Sequence, residues 1–448
     1  MSDAFTREPP WDPRRFPPAA RAPRTVQTVR LLLDPQGYGR ALRRRFGPVF
    51  SLRTYPYRGG LVCAADVATN REVLTDHERF TGGDAAALLA PAVGAGSLIC
   101  TPPPAHLRHR RLLLPPFHGA RIACWAERVG DLVRARLPAL LTGGGVPVRP
   151  WAQRLTLDVV LRVVFGLEDP VRAAAFRRAV DAFVASDNVA VLFLPAPLRR
   201  DLGPLSPGGR FHRLRASVRE LIRGEIAARR VAPDRDERDD VLSLLLGAGG
   251  DGPGSGPGDA HLLDELTGLV LAGYETTATT IAWTLHLLAH HPAVRDQLAD
   301  DLDAGSDRLL KAVVRESERL RPAVHNAMRT AAHDTELGGH PVPRHAFVAA
   351  VFPLTHLDAD LWPEPDAFRP ERHLGADPAP YALTPFGGGL RRCIGTALAR
   401  LETETVVREV LAAALPEPAG PQESARLMSV TLVPARGGRV RLRPRRAA

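Results

Sequence analysis

The chain predicts a mainly α-helical fold with a small β region, and three observations carry that expectation. Apolar residues recur at three- and four-residue spacing across residues 126–141 and 215–230, the period of amphipathic helices. A run of thirty-odd residues beginning near Asp259 and stopping before Pro292 reads as one long helix. At ~1.5 Å per residue it spans about 45 Å, enough to cross a whole domain. Strand-like pieces bounded by turn residues are few: GPVFSLRTY near the start, TELGGHPVPRHAFVAAVF, and SVTLVPARGGRVRLRP at the end.

Taken in order, the first 25 residues contain no apolar leader and no membrane anchor. Their prolines and arginines predict an extended arm. The glycine-proline stretch from Gly247 to Gly258 predicts a flexible loop between two helices rather than a domain boundary. Residues 269–289 are apolar enough to be mistaken for a membrane span, but Glu275, His286 and five threonines interrupt them. A long buried helix in a soluble protein is the better reading. After Cys393, the residues Ile394, Ala397, Leu398 and Leu401, then Val407, Val410, Leu411 and Ala414, fall at helical spacing.

Bulk composition excludes some classes of function. The formal charge is +10, but lysine occurs once, at Lys311, so the excess is almost all arginine. No basic tract has interleaved aromatics, which argues against a nucleic-acid partner. The four cysteines, Cys63, Cys100, Cys124 and Cys393, form no CxxC pair for zinc or redox exchange. With no signal peptide, they point to a reducing, cytoplasmic compartment.

The most informative stretch is FGGGLRRCIG, Phe386 to Gly395. Cys393 could be a structural thiol, a nucleophile or a metal ligand. A nucleophile needs a neighbouring general base, and here the neighbours are arginines. A phosphate loop needs a lysine, and a dinucleotide loop needs a strand just before it. The ligand reading explains more of the local residues. Cys393 stands at or just before a helix N-terminus, where the dipole, Arg391 and Arg392 favour a thiolate. The glycines at 387, 388, 389 and 395 let backbone approach a flat cofactor closely. One thiolate with no clustered ligands suits haem, whose porphyrin supplies four donors.

These residues resemble the haem-binding signature of the cytochrome P450 family: Phe386, Gly389, Arg391, Cys393 and Gly395 each match. The resemblance implies that family's single-domain fold over residues 26–448, with haem b, iron protoporphyrin IX, lying between the long central helix and the cysteine-loop helix. Cys393 would be its axial thiolate, and Phe386, Arg391, Gly395, Ala272 and Gly273 would bound the cofactor.

Three further motifs follow the family's order. In AGYETT, Ala272 and Gly273 make space, and Thr276 can bond back to the Ala272 carbonyl. Glu275 is a carboxylate within an apolar helix. Alone, the motif also reads as a packing glycine beside a surface glutamate. The resemblance assigns Glu275 and Thr276 to dioxygen activation, Thr276 as the hydroxyl at the oxygen and Glu275 in proton delivery. ESER puts Glu316 and Arg319 on one helix face, where a surface salt bridge is the plain alternative. The resemblance makes them a buried network with Arg372. In HLRHRRLLLPPF, His106 and Arg110 lie one turn apart; by resemblance they join Arg329 and Arg391 as propionate ligands, against a solvated charged face.

The resemblance departs at Arg344-His345, where the family usually has lysine-glycine, so the geometry of that turn is open. It implies a monooxygenase that inserts one oxygen atom from O2 into a hydrophobic small molecule, a terpenoid or polyketide-type secondary metabolite. Fatty-acid hydroxylation, desaturation, coupling and peroxide-driven oxidation are the alternatives, and a haem sensor without turnover is the competing class. Separate electron-transfer proteins, a ferredoxin and its reductase, are the expected partners, with Arg108, Arg111 and Arg392 as their docking face. Four segments are expected to line the substrate pocket: residues 80–100, 184–212 and 323–328, and the turn near Met428.

Overall fold

The computed structural model describes residues 7–117, 120–141, 144–184, 190–193, 199–247, 258–428 and 430–445. Seven helices position the site: α1 (Ala105–Leu113), α2 (Ala120–Arg136), α3 (Val148–Phe165), α4 (Pro207–Arg230), α5 (Asp259–His290), α6 (Arg308–Leu320) and α7 (Thr396–Ala413). The central helix α5 runs 32 residues, as the sequence predicts. Nearly all of its C-terminal half is buried, with Trp283, Leu285, Leu287 and Leu288 at 1% exposure or less. That explains an apolar stretch of membrane-span composition in a helix that crosses the protein core. Among the described residues, no helix is long and apolar enough to cross a membrane.

The β region is small and lies to one side. Five strands, β1 (Val49–Leu52), β2 (Leu61–Ala64), β3 (Phe80–Thr81), β4 (Asn326–Ala331) and β5 (Phe347–Val351), form a sheet in the order β1-β2-β5-β4-β3. The β2–β5 pair is parallel, Leu61 opposite Phe347, and the other pairs are antiparallel. A second sheet places Arg439–Pro444 between Gly145–Pro147 and Ala414–Pro418. The three strand-like pieces of the sequence are all present. Leu61–Ala64, Asn326–Ala331 and Ala414–Pro418 were not anticipated, being short and without a clear period-two alternation. Ala414 belongs to a strand rather than to the cysteine helix, and α2 gives way to a 3₁₀ turn at Leu137–Ala139.

The N-terminal arm is docked on the sheet and its end coils, since a helix begins at Arg24. Phe16 is buried, Ala19 bridges to Ser51, and the Glu8 carboxylate accepts from the N–H groups of Arg58, Gly59 and Gly60 at 2.6, 2.8 and 3.1 Å. The turn with the unusual pair turns through His345 at φ 65, a left-handed conformation that a glycine adopts without steric cost. The predicted Gly247–Gly258 loop and the side chain of Cys124 lie largely outside the described residues.

Candidate active site

The cysteine loop is built from its ends inward. Cys393 N–H donates to Phe386 O at 3.0 Å, which closes the loop. A 3₁₀ turn, Gly389–Arg391, precedes the cysteine, and α7 starts three residues after it. Gly389 sits at φ 63, and a Cβ there would lie 2.1 Å from Leu74 O, so only glycine fits. Thr396 Oγ1 donates to Cys393 O at 2.9 Å.

Cys393 is exposed and lines a cavity of ≈ 340 Å³. Burial pushes the thiol pKa up. The Gly395 N–H, the Thr396 hydroxyl, Arg110 and Arg392 pull the other way, towards thiolate.

Helix α5 forms another wall of the same cavity with Ala272, Gly273, Thr276, Thr277 and Thr280. Thr276 Oγ1 donates to Ala272 O at 2.8 Å, the back-bond its spacing predicts. A Cβ on Gly273 would stand 2.9 Å from Val160 Cγ2, so this glycine also sets how closely α5 and α3 approach. Glu275 is not in the cavity wall. Its carboxylate is held by Arg149 and by Gln153 Nε2, the latter at 2.6 Å, both from α3. Nothing in the sequence VRPWAQRL marks these two partners.

The edge of the cavity carries uncompensated positive charge. Arg329 and Arg391 both line it. Arg329 is 5% exposed, donates to Met328 O at 2.9 Å, and has a buried Nε without a partner. Burial, then Arg391, pushes its pKa down to about 10. Arg391 donates to Thr101 O at 2.6 Å and Ile99 O at 3.3 Å. Neither arginine meets a carboxylate among the described residues, so both remain available to an anion.

His106 and Arg110 stand outside the cavity wall. The His106 ring nitrogens face Leu98 O at 3.2 Å and Leu390 O at 3.4 Å, and burial, then Arg391, lowers its pKa to about 4. The two carbonyls favour a protonated ring, while burial and Arg391 oppose it.

Behind the loop, Glu316 and Arg319 are fully buried and paired twice at 2.8 Å. Arg372 Nε reaches Glu316 Oε1 at 3.1 Å, and His373 Nε2 lies 2.9 Å from Oε2. Arg319 also donates to the carbonyls of His356, Pro365 and Ala367, at 2.8, 2.8 and 3.1 Å. His373 was missed in the sequence because the motif that points to Arg372 carries no signal at the next residue.

Of the four expected pocket segments, Ala323, Val324, Asn326 and Ala327 reach the wall. No described residue of 80–100 or 184–212 does, and neither does Met428; residues 185–189 and 194–198 lie outside the described residues. In their place α3 supplies Val160, Val163 and Val164, facing Leu269 of α5.

The residues present fit a flat, dianionic group bound by sulfur. A thiol forms one wall, small residues of α5 form another, and two arginines, Arg329 buried and Arg391 half-buried, stand without counter-ions. Fold and site together thus define a haem-thiolate type of oxidoreductase. A profile of the family "Cytochrome P450" matches residues 33–413, and the chain belongs to that family. A Mycobacterium bovis protein named cytochrome P450 135B1 is 34% identical over 96% of this chain and 92% of its own. A Mycobacterium tuberculosis protein named cytochrome P450 137 is 33% identical over 99% of this chain and 94% of its own. Among solved structures, a retinoic acid-bound cyanobacterial CYP120A1 matches with TM-score 0.82 and 24% identity, over 96% of this chain and 100% of that one. A zebrafish cytochrome P450 with progesterone matches at 0.76 and 25%, over 92% and 99%. The protein is an oxidoreductase of the monooxygenase class, and members of its family bind haem through a cysteine thiolate.

Proposed function

We propose that Cys393 is the axial ligand of haem b and that the enzyme oxygenates a hydrophobic small molecule of terpenoid or polyketide type. The observation that carries this reading is the pairing of Cys393 with Ala272, Gly273 and Thr276 on the walls of one cavity, two uncompensated arginines at its edge. When bound, haem supplies the activation of O2 and accepts the two electrons the reaction needs.

The chain's residues do the remaining work. Arg329 and Arg391 hold the propionates, with His106 and Arg110 of α1 as the further donors. Val160, Val163, Val164 and Leu269 keep water from the substrate side and offer only apolar contact. Thr276 Oγ1 places a hydroxyl at the reacting oxygen. Glu275 relays protons towards it when its carboxylate leaves Arg149 and Gln153. Asn326 is a polar group on the wall for an oxygenated substrate. Glu316, Arg319 and Arg372 hold the loop behind the cofactor.

Separate electron donors, a ferredoxin and its reductase, are part of the proposal. Arg108, Arg111 and Arg392 are all exposed, and the proposal assigns them the basic docking face. Reversing their charge should slow reduction by an acidic ferredoxin; unchanged reduction would remove the docking role.

The test of substrate class is an absorbance titration of the ferric protein with terpenes, macrolactones and fatty acids, followed by turnover under ¹⁸O₂. A terpene or macrolactone should move the iron to high spin, and its product should carry one labelled oxygen. A shift by fatty acids alone would replace the proposed class.

A further inference from the structure

A second cluster of ligand-type side chains lies away from the cavity. His109 on α1 faces His261 and Glu265, which occupy one face of α5 at i and i+4. One ligating atom from each of the three lies within 4.8 Å of the others. The two imidazole rings are 4.2 Å apart, centre to centre, at 51°.

None of the three satisfies another. No hydrogen bond or ion pair joins them, and Glu265 has no cationic partner among the described residues. Glu265 is nonetheless 4% exposed, and His109 Nδ1 is buried without a partner. A buried carboxylate without a counter-charge is costly. The Leu98 N–H donates to Glu265 Oε2 at 2.8 Å, which fixes the carboxylate and leaves its other oxygen free. Neighbouring Asp264 is already engaged by Arg219 Nη1 at 2.6 Å and Gly96 N at 2.9 Å. A Cβ on Gly96 would stand 2.9 Å from His261 Nδ1, so the glycine keeps that side open.

We propose that His109, His261 and Glu265 form a binding site for a divalent first-row transition-metal ion of the zinc class, which ties α1 to the long helix α5. Two imidazoles and one carboxylate are a zinc-type donor set, with water completing a tetrahedron. Magnesium and calcium, which prefer oxygen donors, are poorly served by it. Bonds of ~2.0–2.1 Å require ligand atoms about 3.3 Å apart, so atoms that now lie within 4.8 Å of one another close by up to about 1.5 Å on binding. Both histidines are only half-buried, which gives the ion a way in. The consequence is mechanical. α1 carries His106 and Arg110, so the ion fixes that helix against the one bearing Thr276.

The test uses tag-free, haem-loaded protein, stripped with chelator and titrated calorimetrically with ZnCl2, alongside melting curves with and without zinc. The expected result is one Zn2+ per chain, a higher Tm with zinc, and little heat from MgCl2. His109→Ala and His261→Ala should each weaken zinc binding at least ~10-fold and abolish the Tm rise while haem content stays normal. Absence of one-to-one binding, or binding unchanged in both variants, would overturn the proposal. If His109→Ala fails to load haem, His261→Ala decides the matter alone.

Discussion

Glu275 is bound to Arg149 and turned away from the cavity that Thr276, its neighbour on α5, helps to line. The two residues of one motif therefore sit on different faces of the helix, because successive helical residues are about 100° apart. The acid waits in a nearly buried ion pair, with side-chain exposures of 14% for Arg149 and 11% for Glu275.

Arg149→Ala leaves that carboxylate buried without a counter-charge, held by Gln153 alone, and stability should fall by ~3–5 kcal/mol. Adding Glu275→Gln removes the stranded charge, so the double variant should be more stable than Arg149→Ala alone. Denaturant titration of the four proteins checks this. A Glu275→Gln effect that is the same in the wild type and in Arg149→Ala would show that the pair carries no coupling.

Glu275→Gln keeps the shape but cannot relay protons. Its turnover should drop by at least ~100-fold with haem content and substrate affinity unchanged. Product formation per electron consumed is the measurement, and normal coupling would remove Glu275 from the proton path.

Arg319→Ala strips Glu316 of a doubly bonded partner and leaves three backbone carbonyls without a donor. The loss should be at least ~3–5 kcal/mol, giving haem-free or insoluble protein. The ratio of haem to protein after purification reads it directly, and a normal ratio would contradict the structural role.

His356 gives a pH signature. It is fully buried, its Nε2 accepts from Thr384 N at 2.9 Å, and burial, then Arg319, lowers its pKa to about 3. The unfolded chain takes up that proton near pH 6.5, so this histidine's contribution is complete above 6.5 and lost as pH falls towards 3. The loss is about 2 kcal/mol between pH 7 and pH 5. His356→Gln removes the titration, so its stability deficit should shrink over that interval. A deficit independent of pH would show that the site does not exclude the proton.

His345 occupies a left-handed position, and among the described residues no hydrogen bond of its side chain holds it there. His345→Gly should stabilise the protein by about 1 kcal/mol, the relieved strain outweighing the added freedom of the unfolded chain. Thermal melts at one pH suffice, and a destabilised variant would mean the turn is unstrained.

Much of this was legible in the sequence because it is local. The span of α5, the Thr276 back-bond, the Glu316–Arg319 pairing and the helix after Cys393 all follow from spacing along one segment. What stayed hidden is set by distant packing. Arg149 and Gln153 reach Glu275 from 126 and 122 residues away. The burial of His106 beside Arg391 is likewise recorded by no local pattern. The α3 valines replace expected pocket segments for the same reason: α3 reads as an ordinary apolar helix until it is packed against α5.

The central claim is that Cys393 holds the haem iron as a thiolate. The most direct measurement is the absorbance of reduced, CO-treated protein, wild type against Cys393→His. The account predicts the red-shifted thiolate-type Soret band in the wild type and its loss in the variant, even where haem is retained. A fully haem-loaded wild type without that band, or a variant that keeps it, would contradict the account.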